Sequence, residues 1–298
     1  MKNSRFYKIA GITIQVDSEL PITDDTFHPK FRLFEAAGPG RDTISISHRF
    51  SLPDLEGRDM GKKVYERAPW LIHRDEDSWV YLGVADVAGK RHIYQVAFFN
   101  PDYTRATIHN EKDETFLKGG LHSLTLFPTD QILLSQVLAD REGCFMHSSG
   151  VIFRDKGLLF VGHSDTGKST MAKMLGGRAE ILCDDRVVVR RWNEGFRIHG
   201  SWSHGDVAEV SSSSAPLTAL MFLEQSKINR VIPLNKGNGL ISRLLACLVK
   251  PLVTADWWEK MLRLTENIAS DVPCYVLQFD KSGDVVALIE EMVGEGIR

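Results

Sequence analysis

Apolar and polar residues alternate in short bursts over the first 127 residues and give way to longer mixed runs beyond them. The early bursts are FYKIAGITIQV (6–16), DTISISHRF (42–50), SWVYLGVADV (78–87), RHIYQVAFF (91–99), TRATIHN (104–110) and HSLTLF (122–127). Each is rich in β-branched and aromatic residues, which suit a pleated, half-buried surface, and each is bounded by turn-forming residues. Each therefore predicts a strand. HPKFRLFEAAGPGRD (28–42) lacks that alternation and predicts a loop with a turn at Gly38-Pro39-Gly40. Residues 1–127 thus predict a mostly β N-terminal module.

The period changes after Phe127. In TDQILLSQVLADRE (129–142), Ile132, Leu133, Val137 and Leu138 recur near helical spacing, with Pro128 and Thr129 at the start. This helix marks the boundary between a domain over 1–127 and a second over 128–298. FMHSSGVIFRD, KGLLFVG, EILCDD, RVVVRRW and FRIHGSW follow as strands, with a helix from Ser169 to Leu175 between the second and third. SSSSA (211–215) predicts a linker or a mobile loop. PLTALMFLEQ and RVIPLN predict strands. Helices are expected over Gly239–Lys250 and Thr254–Ala269, then a strand at PCYVLQF and a final helix at GDVVALIEEMVG. Strands interleaved with helices make this half α/β.

Composition narrows the classes. The chain has 298 residues, 43% hydrophobic and 25% charged, with a net charge of −3. A balance this close to neutral gives no overall electrostatic reason for a nucleic-acid partner. The four cysteines, Cys144, Cys183, Cys247 and Cys274, are widely spaced and form no Cys-x-x-Cys pair, which points to a reduced, cytoplasmic setting. No stretch has the 18 apolar residues of a membrane helix, and the N-terminus lacks a signal-peptide pattern, so no membrane association is expected.

Candidate chemistry begins at residue 162. Gly162-His163-Ser164-Asp165-Thr166-Gly167-Lys168-Ser169 fits G-x-x-x-x-G-K-[ST] without mismatch, and Thr170 follows. Glycines let the backbone turn sharply, so that successive N–H groups converge on an anion. The following helix adds unpaired N–H groups and the positive end of its dipole. Lys168 is suited to the outer phosphates, and the Ser169 hydroxyl to a magnesium ion. An apolar strand before the loop and an amphipathic helix after it supply the right context.

Asp184 and Asp185 end the apolar run ILC and precede RVVV. Two carboxylates at a strand end, one strand after a phosphate loop, suit a metal ligand and a proton acceptor. An Asp-Asp pair between strands is otherwise an ordinary turn. His147, in CFMHSSGV, stands fifteen residues before Gly162.

Together MHSSGV, GHSDTGKST and CDDRVVV resemble the HPr kinase/phosphorylase family. The resemblance is close over residues 143–200 and loose to about 290. FLEQ (222–225) and VPCYVLQF are similar to stand-alone HPr-kinase-like proteins associated with peptide-modification gene sets. The resemblance implies a P-loop kinase domain of the HPr kinase/phosphoenolpyruvate carboxykinase type, using ATP and magnesium to phosphorylate a serine on a protein or peptide. It implies that Lys168 and Ser169 hold phosphates and metal, that Asp184 is the general base with Asp185 its metal-side or supporting partner, and that His147 lines the phosphate site. It also implies a homo-oligomer. Two features depart from the family: its loop ends Lys-Ser-Glu where this chain has Lys168-Ser169-Thr170, and its arginine-rich second signature is not recognisable after residue 195.

Arg197, His199 and His204 in FRIHGSWSHGD are further candidates to face phosphates or the acceptor. Trp257-Trp258 suits a core helix better than a partner surface. The expected function is transfer of the γ-phosphate of ATP to a hydroxyl. A nucleotide-sensing scaffold that binds a peptide and a small-molecule kinase remain the alternatives.

Overall fold

The alternating bursts of the first region assemble into one large sheet. The computed structural model describes residues 2–127, 130–252 and 254–294. It divides into two compact units, Met1–Leu133 and Leu134–Arg298. In the first, β1 (Lys2–Ile9), β2 (Ile12–Ile22), β3 (Glu35–Ala36), β4 (Thr43–Arg49), β5 (Lys62–Arg67), β6 (Trp70–Arg74), β7 (Trp79–Val87), β8 (Lys90–Phe99) and β9 (Arg105–Asn110) line up in the order β3-β1-β2-β4-β9-β8-β7-β6-β5. β4 runs parallel to both β2 and β9, and the other pairs are antiparallel. Ile12, Ile14 and Val16 on β2 are wholly buried, which is the period-two face the sequence encodes.

Three expectations in this unit need correction. FYKIAGITIQV is not one strand but a hairpin: Ala10 and Gly11 both adopt positive φ and reverse the chain between β1 and β2. HPKFRLFEAAGPGRD holds a 3-10 helix (Pro29–Phe34) and β3 before it bends, because Phe31 and Phe34 are buried against the sheet unit. HSLTLF forms no strand. The N–H groups of Leu124 and Thr125 bond the Asp130 carboxylate at 2.9 and 2.8 Å, and Thr125 Oγ1 bonds it at 2.8 Å. Those donors are therefore withdrawn from any ladder. A short helix, α1 (Glu114–Lys118), and α2 (Gln131–Ala139) complete the sequence of elements up to the second unit. The expected start of α2 at Pro128 and Thr129 lies outside the described residues.

The second unit is α/β with a large mixed sheet. Its strands are β10 (Gly143–Phe153), β11 (Lys156–Val161), β12 (Glu180–Cys183), β13 (Arg186–Trp192), β14 (Gly195–His199), β15 (Ser214–Gln225), β16 (Arg230–Pro233) and β17 (Cys274–Phe279). Its further helices are α3 (Lys168–Leu175), α4 (Asn238–Cys247), α5 (Ala255–Asp271) and α6 (Val285–Gly294). β10 is long enough to join two neighbourhoods. Its first half pairs β13, and its second half pairs β11 and β12. β11, β15 and β17 run parallel, and β16 closes the edge antiparallel to β17.

Helices cover both faces of this sheet, which is why KGLLFV reads as a continuous apolar run. Leu158 and Phe160 face α3 and α6 in one core, whereas Leu159 and Val161 face α4 and α5 in the other. Trp257 belongs to that second core at 2% exposure and donates its Nε1–H to the Ser135 carbonyl, so Trp257-Trp258 is core rather than partner surface. SSSSA is not a free linker. Ser214 and Ala215 begin β15, and Ser211 bonds both Leu182 and Glu180. No helix among the described residues is long and apolar enough to cross a membrane.

Candidate phosphate-binding and acid–base site

β11 delivers the chain to the glycine loop, and α3 carries it away. Both glycines of the motif are required by contact. A Cβ on Gly162 would lie 2.4 Å from Thr166 Oγ1, and one on Gly167 would lie 2.6 Å from Cζ of Phe279. Gly167 also has φ +103°, which L side chains rarely adopt. The loop is braced by its own bonds. Thr166 Oγ1 donates to the His163 carbonyl at 2.8 Å, and Gln225 Nε2 donates to the Asp165 carbonyl at 2.8 Å. The amide groups at the start of α3 are left open to an anion, as at any helix start.

Lys168 is buried at the head of α3. Its Nζ donates to the carbonyls of Gly162 at 3.0 Å and His163 at 2.8 Å. Burial holds its pKa below the ordinary lysine value, while Cys247, Asp185, Asp165 and Asp184 oppose that effect. Three carboxylates thus act on one ammonium group at the loop.

Asp184 and Asp185 follow β12 but have different surroundings. Asp184 is buried, and its two oxygens accept N–H groups from Gly205 at 2.5 Å and Val207 at 2.9 Å. Asp185 keeps about a fifth of its side chain exposed. One oxygen pairs with Arg186 NH1 at 2.7 Å, and the other lies 3.6 Å from His147 Nε2. That last spacing is too long for a hydrogen bond. His147 sits opposite Arg186 in the β10–β13 ladder, and the Ser148 N–H bonds the Asp185 carbonyl at 3.1 Å. Burial lowers the His147 pKa, with Lys168 adding to the effect and Asp185 opposing it. The imidazole is therefore held neutral at neutral pH.

The small residues after His147 have a packing reason. Gly150 crosses Val187 so closely that a Cβ would meet Val187 Cγ2 at 2.8 Å, and Ser148 and Ser149 are fully buried. β10 is pressed against β13 here, which fixes His147 beside Asp185 and Arg186.

The structure brings the loop (Gly162, His163, Ser164, Asp165, Thr166, Gly167), Lys168, His147 and the Asp184-Asp185 pair to one region. It does not bring Arg197 or His199 there. Arg197 donates to the Ser214 carbonyl and hydroxyl at 3.2 Å each, and the buried His199 accepts from Trp192 Nε1 at 3.2 Å. His204 bonds the carbonyl of its neighbour Gly205, whose N–H bonds Asp184. The N–H donors of Gly205 and Val207 escape sequence reasoning, because backbone groups have no residue signature. Phe279 under Gly167 and Gln225 on Asp165 escape it because they lie far along the chain.

No group of three or more His, Cys, Asp or Glu side chains among the described residues forms a metal cage. Magnesium commonly takes only one or two protein oxygens, with phosphates and waters completing its shell. The Ser169 hydroxyl, in the first turn of α3, is one protein oxygen of that kind.

A family model described as "SynChlorMet cassette protein ScmC" matches residues 129–294, more than half of the chain. No curated protein matches. Among solved structures, the HPr(Ser) kinase/phosphatase from Coxiella burnetii aligns at 12% identity over 51% of this chain and 94% of its own, with a TM-score of 0.30. That link is structural and distant. The resemblance read from the motifs therefore needs correcting in its family: the match is to ScmC, and HPr kinase/phosphorylase is a remote neighbour. The chain belongs to the ScmC family.

Proposed function

We propose that the protein is an ATP- and magnesium-dependent kinase that transfers the γ-phosphate to a hydroxyl, with serine of a small protein or peptide as the acceptor. One observation carries this reading: a braced glycine loop, its buried Lys168 and the Asp184-Asp185 carboxylates share one electrostatic neighbourhood with His147. A loop that only sensed a nucleotide would need no partly exposed carboxylate in the field of its lysine. The motif resemblance supports a serine acceptor.

In this reading the loop amides and the first turn of α3 hold the phosphates. Lys168 exchanges its two loop carbonyls for phosphate oxygens, and its charge offsets the negative charge of the transferring group. Magnesium, held by Ser169, supplies further charge neutralisation when bound. The motif resemblance gives the base role to Asp184. Its two backbone donors and its burial favour a different division, in which Asp184 fixes the Gly205–Val207 segment and the more open Asp185 accepts the hydroxyl proton. The acceptor oxygen bonds to the γ-phosphorus, the bridging P–O bond breaks and ADP leaves. Arg186 orients the Asp185 carboxylate, and His147 stands beside it at 3.6 Å.

Asp185→Asn tests this assignment. It should leave ATP affinity within about twofold and lower phosphate transfer by roughly 100-fold or more, as expected for loss of a general base. Normal transfer by this variant would remove Asp185 from the proton-accepting role.

A further inference from the structure

A row of phosphates held in the loop has two ends. One meets the reacting groups, and the other must leave the loop elsewhere. The parallel strands show where. β11, β15 and β17 lie side by side, with Val161 opposite Phe222 and Gln225 opposite Phe279 at their carboxyl ends. Ligands of open α/β sheets bind in the crevice beyond such ends.

A cavity of about 180 Å³ opens there, lined by Gly167, Thr170, Gln225, Ser226, Phe279, Asp280 and Lys281. Gly167 and Thr170 belong to the loop region and the cavity alike. Its lining includes none of His147, Lys168, Asp184 and Asp185. The cavity is therefore continuous with the loop but separate from the acid–base groups.

Its size and walls narrow the ligand. Pockets for whole drug-sized molecules run to roughly 300–1,000 Å³. This cavity is smaller and suits one end of a molecule whose remainder lies in the loop. Phe279 gives it an apolar wall. The Ser226 hydroxyl accepts from the Ile228 N–H at 3.2 Å and keeps its own proton to donate. The Gln225 nitrogen is committed to the Asp165 carbonyl, which fixes the amide at the cavity edge. Asp280 and the exposed Lys281 bring one carboxylate and one cation to the lining, and the Asp280 carboxylate is already bonded by Asn229 at 3.1 Å and by the Ser282 N–H at 2.9 Å. An apolar wall with a few fixed polar groups is what a heterocyclic base and its sugar require.

We infer that this cavity is the nucleoside subsite: it takes the base and sugar of a nucleoside triphosphate whose phosphates lie in the glycine loop. The inference rests on the phosphate-binding part of the reading above. It is independent of which carboxylate takes the proton.

Calorimetry on the full chain, with magnesium, compares ATP with inorganic tripolyphosphate. The wild type should bind ATP at least tenfold more tightly than tripolyphosphate. Ser226→Tyr, which fills the cavity, should weaken ATP at least tenfold and leave tripolyphosphate within twofold. The retained tripolyphosphate binding then reports a folded loop. Equal affinity of the wild type for the two ligands, or equal weakening of both by Ser226→Tyr, overturns the subsite while leaving the phosphate loop intact. Binding of neither ligand by the wild type overturns the loop reading and the subsite with it. Photo-crosslinking with 8-azido-ATP gives a readout on the unaltered protein. Label on the peptides carrying Ser226 or Phe279–Lys281, displaced by excess ATP, is expected. Label confined to other peptides overturns the assignment.

Discussion

His48 in the first unit and His147 in the second both sit on strands, yet their surroundings differ. His48 is fully buried on β4 and donates its Nε2–H to the Leu124 carbonyl at 2.7 Å, while Asn110 approaches its other nitrogen. Gln95 and Asn110 bond each other beside it, and Tyr81 and Tyr103 pair hydroxyls at 3.0 Å. These side chains bond each other or the backbone, which makes them architecture, although Gln95 Oε1 is buried without a partner of its own. His147 is partly exposed, has a carboxylate 3.6 Å away and lies in the field of Lys168. Charged groups of the second unit converge on the glycine loop, and of these Asp185 and His147 stay partly exposed. Burying a titratable group costs stability, so a cluster left with open bonding capacity is where chemistry should be sought.

The strongest way to break this contrast is Lys168→Ala. Loss of the ammonium group should weaken ATP binding or transfer by roughly 100- to 1,000-fold, by analogy with removing one transition-state donor. The melting temperature should move little. A large fall in stability with modest loss of nucleotide affinity would make Lys168 architecture, like His48.

Asp184→Ala is expected to be mainly structural. It leaves the Gly205 and Val207 N–H groups without their acceptor, which should cost about 3 kcal/mol in urea unfolding. An unchanged urea midpoint would return Asp184 to a purely chemical role.

Acid sharpens the other side of the comparison. Burial depresses the His48 pKa to about 4 from its ordinary 6.5. The unfolded chain therefore binds the proton first as pH falls. The neutral ring's contribution is complete above pH 6.5, and about 3 kcal/mol is lost as pH drops toward 4. His199 in the second unit is likewise lowered to about 4, by burial first and then by Arg197 and Arg190, so both units should weaken over the same window. Urea midpoints between pH 7 and 4 check this, and His48→Gln should flatten part of the slope. The smallest expected effect is at α5, whose N-cap Thr254 accepts the Trp257 N–H at 3.1 Å. Thr254→Ala should lower stability by about 1 kcal/mol without altering nucleotide affinity.

Much of this was legible in the sequence wherever one residue type answers one physical need. The loop could be read because a tight anion nest needs glycine at Gly162 and Gly167, and the structure gives each a contact that no side chain could share. β11 could be read because a strand covered on both faces is apolar throughout. β5 and β6 could not. KKVYER is exposed along its whole length at the sheet edge, so no buried face imprints an alternation on it. HSLTLF misled because its strand-forming residues lie next to Asp130, whose carboxylate captures their donors. The division of labour between Asp184 and Asp185 was hidden for a related reason. It is set by backbone N–H groups more than twenty residues away, at Gly205 and Val207.

The central claim is tested most directly by incubating the full chain with γ-labelled ATP, magnesium and the protein and peptide extract of its own cell, with Lys168→Ala in parallel. The account predicts a labelled protein or peptide, phosphorylated on a hydroxyl, with the wild type alone. Tight, Lys168-dependent ATP binding with no label leaving ATP would contradict it and make the glycine loop a nucleotide sensor.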